Sequence, residues 1–389
     1  MAGGRMAGAT QLEPSLDPAA EPSRFSGHMP TLDGIRGLAI LAVTLYRFNI
    51  GPAYDDFPGN LLFGVLGHGD LGVDLFFVLS GFLITGILFD AKQHAYYFRN
   101  FYVRRALRIF PLYYGFLLVM LVVLPFAFGS RGELFPEATE NQAWLWTYCA
   151  NFLMGIRNEW CLGSFEHFWS LAIEEQFYLV WPLLILLCSR RQAMIASLAA
   201  VAFSILGRIV WIRSGGGDAA VELFTFFRFD GLGLGAFLAL YVRGPAQCLP
   251  PSRWARVSVA GCAAGVVGAI LLERRLWGLN LALVAGFCAA LLILALASTP
   301  DSRWGRLWRS RALAFFGKYS YAMYVFQLPL IVLMAPILTA EGLCASLGSV
   351  FLGRMTYIAL MTSVTTACAY LSWHLYEKHF LKLKRYFPT

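Results

Sequence analysis

The stretch LGVDLFFVLSGFLITGILF, Leu71–Phe89, runs nineteen residues with a single charge, Asp74. A helix needs roughly 20 apolar residues to cross about 30 Å of hydrocarbon, so this segment reads as a membrane span. Nine further stretches read the same way: Leu32–Asn49, Ile109–Phe128, Trp169–Cys188, Ala193–Ile212, Leu223–Val242, Val257–Leu272, Leu279–Ser298, Leu313–Leu338 and Val350–Trp373. None alternates apolar with polar residues, which argues against a membrane β-barrel. A mean hydropathy of +0.60 does not suit a soluble domain. The expected fold is all-α, a polytopic bundle of about ten transmembrane helices around a polar interior open to the cytoplasm.

Basic residues crowd into alternate loops and set the direction. Lys92, Arg99, Arg104, Arg105 and Arg108 follow the second span; Arg190 and Arg191 follow the fourth; Arg243, Arg253 and Arg256 follow the sixth; Arg303, Arg306, Arg309 and Arg311 follow the eighth. The end of the chain adds Lys378, Lys382, Lys384 and Arg385. The opposite loops are acidic, with Asp55, Asp56 and Asp70 in one and Glu133, Glu137, Glu140, Glu159 and Glu166 in another. The positive-inside bias therefore puts both termini in the cytoplasm. The net charge of +8 is mostly topology, and nucleic-acid binding is not indicated, since no basic soluble domain is present.

Residues 1–29, rich in Gly, Ala, Pro and acidic side chains, read as a disordered cytoplasmic tail ahead of a transmembrane domain over 30–389. They lack the apolar run of a cleavable signal, so the first span acts as the insertion signal. The spans leave no room in these 389 residues for a large soluble domain. Eight cysteines include no CxxC pair, and no metal site is expected. Cys149 and Cys161 flank one outward loop, where an oxidising compartment would permit a disulfide. No repeat of fixed period and no inverted pair of broken helices is visible.

Charged groups inside spans are costly and usually face a polar interior. In the first span Arg36 and Arg47 are eleven residues apart, close to three turns or about 16 Å, and so share one face. That face is a track for an anion, or the two side chains snorkel to opposite interfaces. Asp33 stands beside Arg36. In the second span Asp74 is near the outer boundary, while Ser80 and Gly81 permit close helix packing. FYVRRALRIFP, Phe101–Pro111, reads as a short basic helix entering the third span. Arg104 and Arg108, one turn apart, can grip phosphates or anchor to anionic lipid. Glu174 and Glu175 sit together at the entrance of the fourth span. Adjacent helical residues point about 100° apart, so both cannot face one cavity directly, and one is expected to pair with a basic neighbour. Arg228 and Asp230 open the sixth span's charged patch, and the ninth begins with Lys318 and Tyr321 before reaching Gln327.

These segments resemble the acyltransferase-3 family of integral membrane acyltransferases. The matching runs are LDGIRGLAIL (32–41), GVDLFFVLSGFLIT (72–85), FYVRRALRIFPLYY (101–114), HFWSLAIEEQFYLVWPL (167–183), RFDGLGLGAFLA (228–239), GKYSYAMYVFQLPL (317–330) and the ending LSWHLYEKHFLKLKR. The resemblance implies a ten-helix domain in the bacterial cytoplasmic membrane. It implies an acyl-CoA, often acetyl-CoA, as co-substrate on the cytoplasmic side. The acceptor hydroxyl would belong to a polysaccharide, a lipid-linked sugar or a small product such as a macrolide. Arg36 falls at the signature arginine of the family's first span. Arg104 and Arg105 fall in its loop arginine motif, expected at the CoA phosphates, with Arg36, Arg108 and Lys318 as further phosphate-binding candidates. Glu174 and Glu175 fall in its acidic motif.

One departure stands out. Members usually carry a histidine eleven residues after the signature arginine, thought to be the general base, and this chain has Arg47 there. Imidazole can take a proton near pH 7, whereas a guanidinium stays protonated above pH 12. In the ninth span, where relatives often have histidine, the chain has Gln327. Three readings follow. The chain is an acyltransferase with a relocated base, drawn from His167, His68, Glu174, Glu175 or Asp74, while Arg47 steadies an oxyanion at the expected reaction centre. Or the fold serves another reaction on an amphipathic or pyrophosphate-bearing substrate, with a buried carboxylate as acid. Or it is catalytically silent and binds or moves an acyl donor or lipid. Arg228, Asp230, Tyr321 and Gln327 are the candidates for the acceptor, with a small or lipid-linked molecule favoured. CoA binding separates the first reading from the second.

Overall fold

The computed structural model describes residues 29–127, 134–244, 249–271 and 277–388. The expected tail, apart from Met29, lies outside the described residues. Ten long helices occupy the ten expected segments: α1 (Pro30–Phe48), α2 (Leu71–Asp90), α3 (Tyr97–Leu118), α4 (Phe168–Leu187), α5 (Arg190–Arg213), α6 (Phe229–Val242), α7 (Ser252–Leu271), α8 (Trp277–Ala297), α9 (Arg311–Met334) and α10 (Val350–Ser372). Among the described residues every regular element is helical. By length and composition five stretches among the described residues can cross a membrane: Gly59–Asp90, Tyr97–Ala127, Gly163–Leu187, Arg190–Arg213 and Leu279–Ala297. Helix α1 is less apolar because it carries Asp33, Arg36 and Arg47.

The polarity of the bundle is that of a protein in lipid. Leu179, Val180, Leu183 and Leu187 of α4 and Phe203, Leu206 and Val210 of α5 point outward. Arg208, one turn from Ser204 on α5, is wholly buried instead. Apolar side chains facing out and a cation facing in are what a hydrocarbon solvent selects. The chain is an all-α, multi-pass membrane protein.

Backbones approach closely at small residues. A Cβ added at Gly81 of α2 would collide with the Leu232 carbonyl of α6, and one at Gly317 of α9 with the Asp33 carbonyl of α1. Gly81 is therefore a packing residue, as its size suggests. The α1–α9 contact holds the starts of these two helices side by side, which places Arg36 near Lys318.

Three local expectations change. The basic stretch 101–111 is no separate helix but the interior of α3, which starts at Tyr97 and accommodates Pro111. The sixth span is broken: a short helix, Asp218–Leu223, and a 3-10 turn, Thr225–Phe227, precede α6. Extended backbone at Phe224 allows its ring to stack on Phe226, 5.1 Å away, which favours the break. Cys149 and Cys161 are free thiols, not a disulfide.

Candidate active site

Three chambers follow one another through the bundle. The first is a basic vestibule of about 660 Å³, where α1, α3 and α9 begin. Six cations line it: Arg36, Arg104, Arg105, Arg108, Lys318 and Lys384, against the single carboxylate of Asp33. Arg36 is held by Asp33 at 3.4 Å. The guanidinium of Arg108 lies 5.7 Å from the Trp373 ring, and the Lys318 ammonium 5.3 Å from the same ring. Positive charge in such excess over the Asp33 carboxylate suits a polyanionic ligand.

The end of the chain forms one wall of this vestibule. Arg104 donates to the backbone carbonyls of Phe387 at 2.8 Å and Lys384 at 3.4 Å, and Asn100 donates to that of Pro388 at 2.7 Å. These bonds bring the Lys384 ammonium to the vestibule. Burial pushes its pKa down to about 7, with Arg108, Arg105, Arg104 and Arg36 adding to the shift. In the sequence Lys384 stands only as a topological charge. Nothing in a basic tail announces that it folds back onto α3.

The second chamber, of about 110 Å³, shares Arg36, Arg105 and Arg108 with the vestibule. Both Glu174 and Glu175 of α4 line it, contrary to the expectation from their angular separation. The chamber is bounded by α1, α2, α3, α4 and α9 together, so it spans a wide enough arc of α4 to reach two adjacent residues. Glu174 accepts hydrogen bonds from Ser80 at 2.8 Å and Tyr178 at 2.9 Å. Among the described residues it forms no ion pair to a basic neighbour. Glu175 has no hydrogen-bond partner among the described residues. Tyr321, also in this wall, donates to the Ile109 carbonyl at 2.9 Å.

The third chamber, of about 360 Å³, shares Val73 with the second and lies where α1 ends and α2 and α4 begin. It is lined by Arg47, Asp74 and Arg228, together with Tyr46, Asp70, Trp160, Glu166, Trp169 and Glu222. Arg228 donates to Asp74 in a buried ion pair, with its guanidinium 5.3 Å from the Phe77 ring and 5.4 Å from that of Trp169. Burial pushes the Glu222 carboxyl up. Arg47 is thus one chamber away from the carboxylate pair, although it shares a face of α1 with Arg36.

The remaining candidates line none of these chambers. His167 is fully buried; its Nε2 lies 3.3 Å from the Val325 carbonyl, and its own carbonyl accepts from Tyr324 at 2.9 Å. These contacts tie the start of α4 to α9. Asp230 accepts from Arg208 at 2.7 Å, both buried, so this pair joins α5 to α6. Gln327 is fully buried, with neither amide atom hydrogen-bonded. His68 lies ahead of α2, outside the chamber walls.

A multi-pass helical bundle with a polycationic vestibule opening beside two carboxylates defines a membrane protein with a charged internal site. The chain belongs to the acyltransferase-3 family: residues 29–374 match its acyltransferase domain. It is similar to the O-acetyltransferase OatA of Staphylococcus aureus, 29% identical over 78% of this chain and 51% of that protein. It is also similar to the putative peptidoglycan O-acetyltransferase YrhL of Bacillus subtilis, 29% identical over 90% of this chain and 54% of the relative. The peptidoglycan O-acetyltransferase OatA of Listeria monocytogenes is 28% identical over 80% and 50%. The chain thus spans about half the length of these curated relatives. No solved structure matches it.

Proposed function

We propose that the chain moves an acyl group, most simply acetyl, from acyl-CoA to a hydroxyl of a glycan, a lipid-linked sugar or a small metabolite. The observation that carries this reading is the sharing of Arg36, Arg105 and Arg108 between the cationic vestibule and the carboxylate chamber. CoA phosphates held by Arg104, Arg105, Arg108, Lys318 and Lys384 leave the thioester free to reach past Arg36 toward Glu174 and Glu175. The names of two relatives support a glycan acceptor. The ten crossings, with both termini in the cytoplasm, belong to the same proposal, since they put the vestibule on the side where CoA is found.

Glu175 is the general base of this reading, because Glu174 is already engaged by Ser80 and Tyr178. The acceptor oxygen attacks the thioester carbonyl as Glu175 takes its proton. Arg36 stabilises the oxyanion, the C–S bond breaks, and the thiolate recovers the proton from Glu175. Neither Arg47 nor Gln327 is asked to titrate.

Titrating labelled acetyl-CoA into purified protein, and following its consumption, tests the reading. Glu175→Gln is expected to keep acyl-donor affinity while losing turnover by about a hundredfold or more, the usual scale of acid–base catalysis. Arg47→His is expected to bring no gain; activity only in that variant would make the native chain a silent member of its family. Absence of both binding and consumption would sink the proposal.

A further inference from the structure

The third chamber has no part in holding the CoA phosphates or supplying the base, yet its wall is chemically specific. Two indoles and a phenol ring, Trp160, Trp169 and Tyr46, surround Asp70, Glu166 and Glu222. Among the described residues none of these three carboxylates is in an ion pair, and Arg47 is in none either. Counted formally, four carboxylates against two guanidinium groups make the wall two charges negative, opposite in sign to the vestibule. Two of the lining residues, Trp169 at 5% exposure and Arg228 at 2%, are themselves almost wholly buried. The chamber's volume falls within the range of small-molecule sites.

Few ligands satisfy such a wall. Carboxylates ask for donors, the Arg47 guanidinium asks for acceptors, and aromatic rings ask for apolar or cationic faces. A sugar ring offers all of these, since each hydroxyl both donates and accepts and its C–H face packs on an indole. The excess negative charge adds a preference: an ammonium is drawn to the carboxylates and the rings, whereas a uronate or phosphate is repelled. Burial raises the carboxyls of Asp70, Glu166 and Glu222 alike, and a cation beside them favours their ionised forms.

We propose that the third chamber binds the acceptor as a sugar unit bearing an ammonium group, and that it selects against acidic glycans. The inference rests on the acyl-transfer reading only in calling this ligand the acceptor; the binding preference stands on the chamber alone. Val73, common to the second and third chambers, marks where a hydroxyl of the bound ring approaches the carboxylate pair.

The test is direct binding to the full chain in nanodiscs of zwitterionic lipid, with a β-1,4-glucosamine tetramer, its fully N-acetylated counterpart and a tetragalacturonate as probes. The amino tetramer is expected to bind at least tenfold more tightly than the acetylated one, with the uronate weakest. Asp70→Asn combined with Glu222→Gln is expected to bring the first two within about twofold. Trp160→Ala, at a half-exposed position, weakens both of those probes while the melting temperature holds. Equal binding of all three probes, a uronate preference, or an ammonium preference that survives the double variant would each overturn the proposal. Acetyl-CoA binding is measured on the same sample: its loss alone removes the acyl-transfer reading and leaves the sugar preference standing, and the reverse result removes the preference alone.

Discussion

Charged residues in this bundle divide by whether the protein itself answers the charge. Arg208 and Asp230 answer each other completely: both are buried, 2.7 Å apart, and neither lines a chamber. Removing one member strands the other in a water-free interior, which typically costs 3–5 kcal/mol. Asp230→Ala is therefore expected to lower the melting temperature sharply in detergent. Asp230→Leu with Arg208→Met is expected to recover most of it, and acetyl-CoA affinity should track only the folded fraction. Lys384 is the opposite case, a cation facing Arg36, Arg104, Arg105, Arg108 and Lys318 across a cavity with only Asp33 to offset them. Its depressed pKa of about 7 means that a bound polyanion favours the protonated form. Affinity for acetyl-CoA should then fall by about tenfold as pH rises from 7 to 9, where the ligand's phosphates are already ionised. Lys384→Arg, which keeps its charge, should flatten that profile. An unchanged profile in the variant would remove Lys384 from phosphate binding. At this scale the sequence exposes residue type and spacing but not partnership. Asp74, Arg228, Asp230 and Arg208 look alike as charges in apolar runs, and only the fold pairs them.

Hydrophobic runs locate the helices because lipid solvates every outward face the same way, so span boundaries from composition and from hydrogen bonding differ by a few residues over most of the ten. They diverge where another force ends the helix. The predicted sixth span is interrupted between Leu223 and Phe229, where aromatic stacking and the Arg228 and Asp230 ion pairs fix the backbone. Close approach is legible only as small residues. The sequence offers many glycines, and only the geometry distinguishes Gly81, whose hydrogen touches the α6 backbone, from Gly64, beside which there is open space. Gly81→Val is expected to force α2 and α6 apart and cost several kcal/mol, the upper end of overpacking effects. Gly64→Val is expected to leave stability within about 0.5 kcal/mol. Thermal melts of the two variants side by side check the contrast; equal melting temperatures would mean the α2–α6 contact yields without cost. Because Ser80 next to Gly81 holds Glu174, loosening this contact should also disturb the carboxylate chamber before the protein unfolds.

The molecule carries opposite charge at the two ends of its chamber series. The vestibule opens where Lys and Arg crowd the loops, and the third chamber lies under the loops that hold Asp70, Glu159 and Glu166. Helix α2 passes both, with Asp74 at one end and Ile87 at the other, about 20 Å apart at 1.5 Å per residue. That is most of the hydrocarbon thickness, so the acyl-donor phosphates and the acceptor ring would approach from opposite faces of the membrane and meet near Glu174 and Glu175. The arrangement depends on orientation. In a background with all eight cysteines replaced, a single thiol at Glu159→Cys is expected to react with a membrane-impermeant maleimide in intact cells. One at Asp301→Cys, in the loop leading to the vestibule, is expected to react only after permeabilisation. The reverse pattern would turn the vestibule away from the cytoplasm, where no CoA could reach it. The acyl-transfer reading would then fail however well the purified protein bound acetyl-CoA. Labelling at both positions in intact cells would mean that the loops do not segregate as their charges require. The positive-inside bias acts through short loops near span ends, and both probe positions lie in such loops, so the two-sided pattern follows from the same charges that build the vestibule.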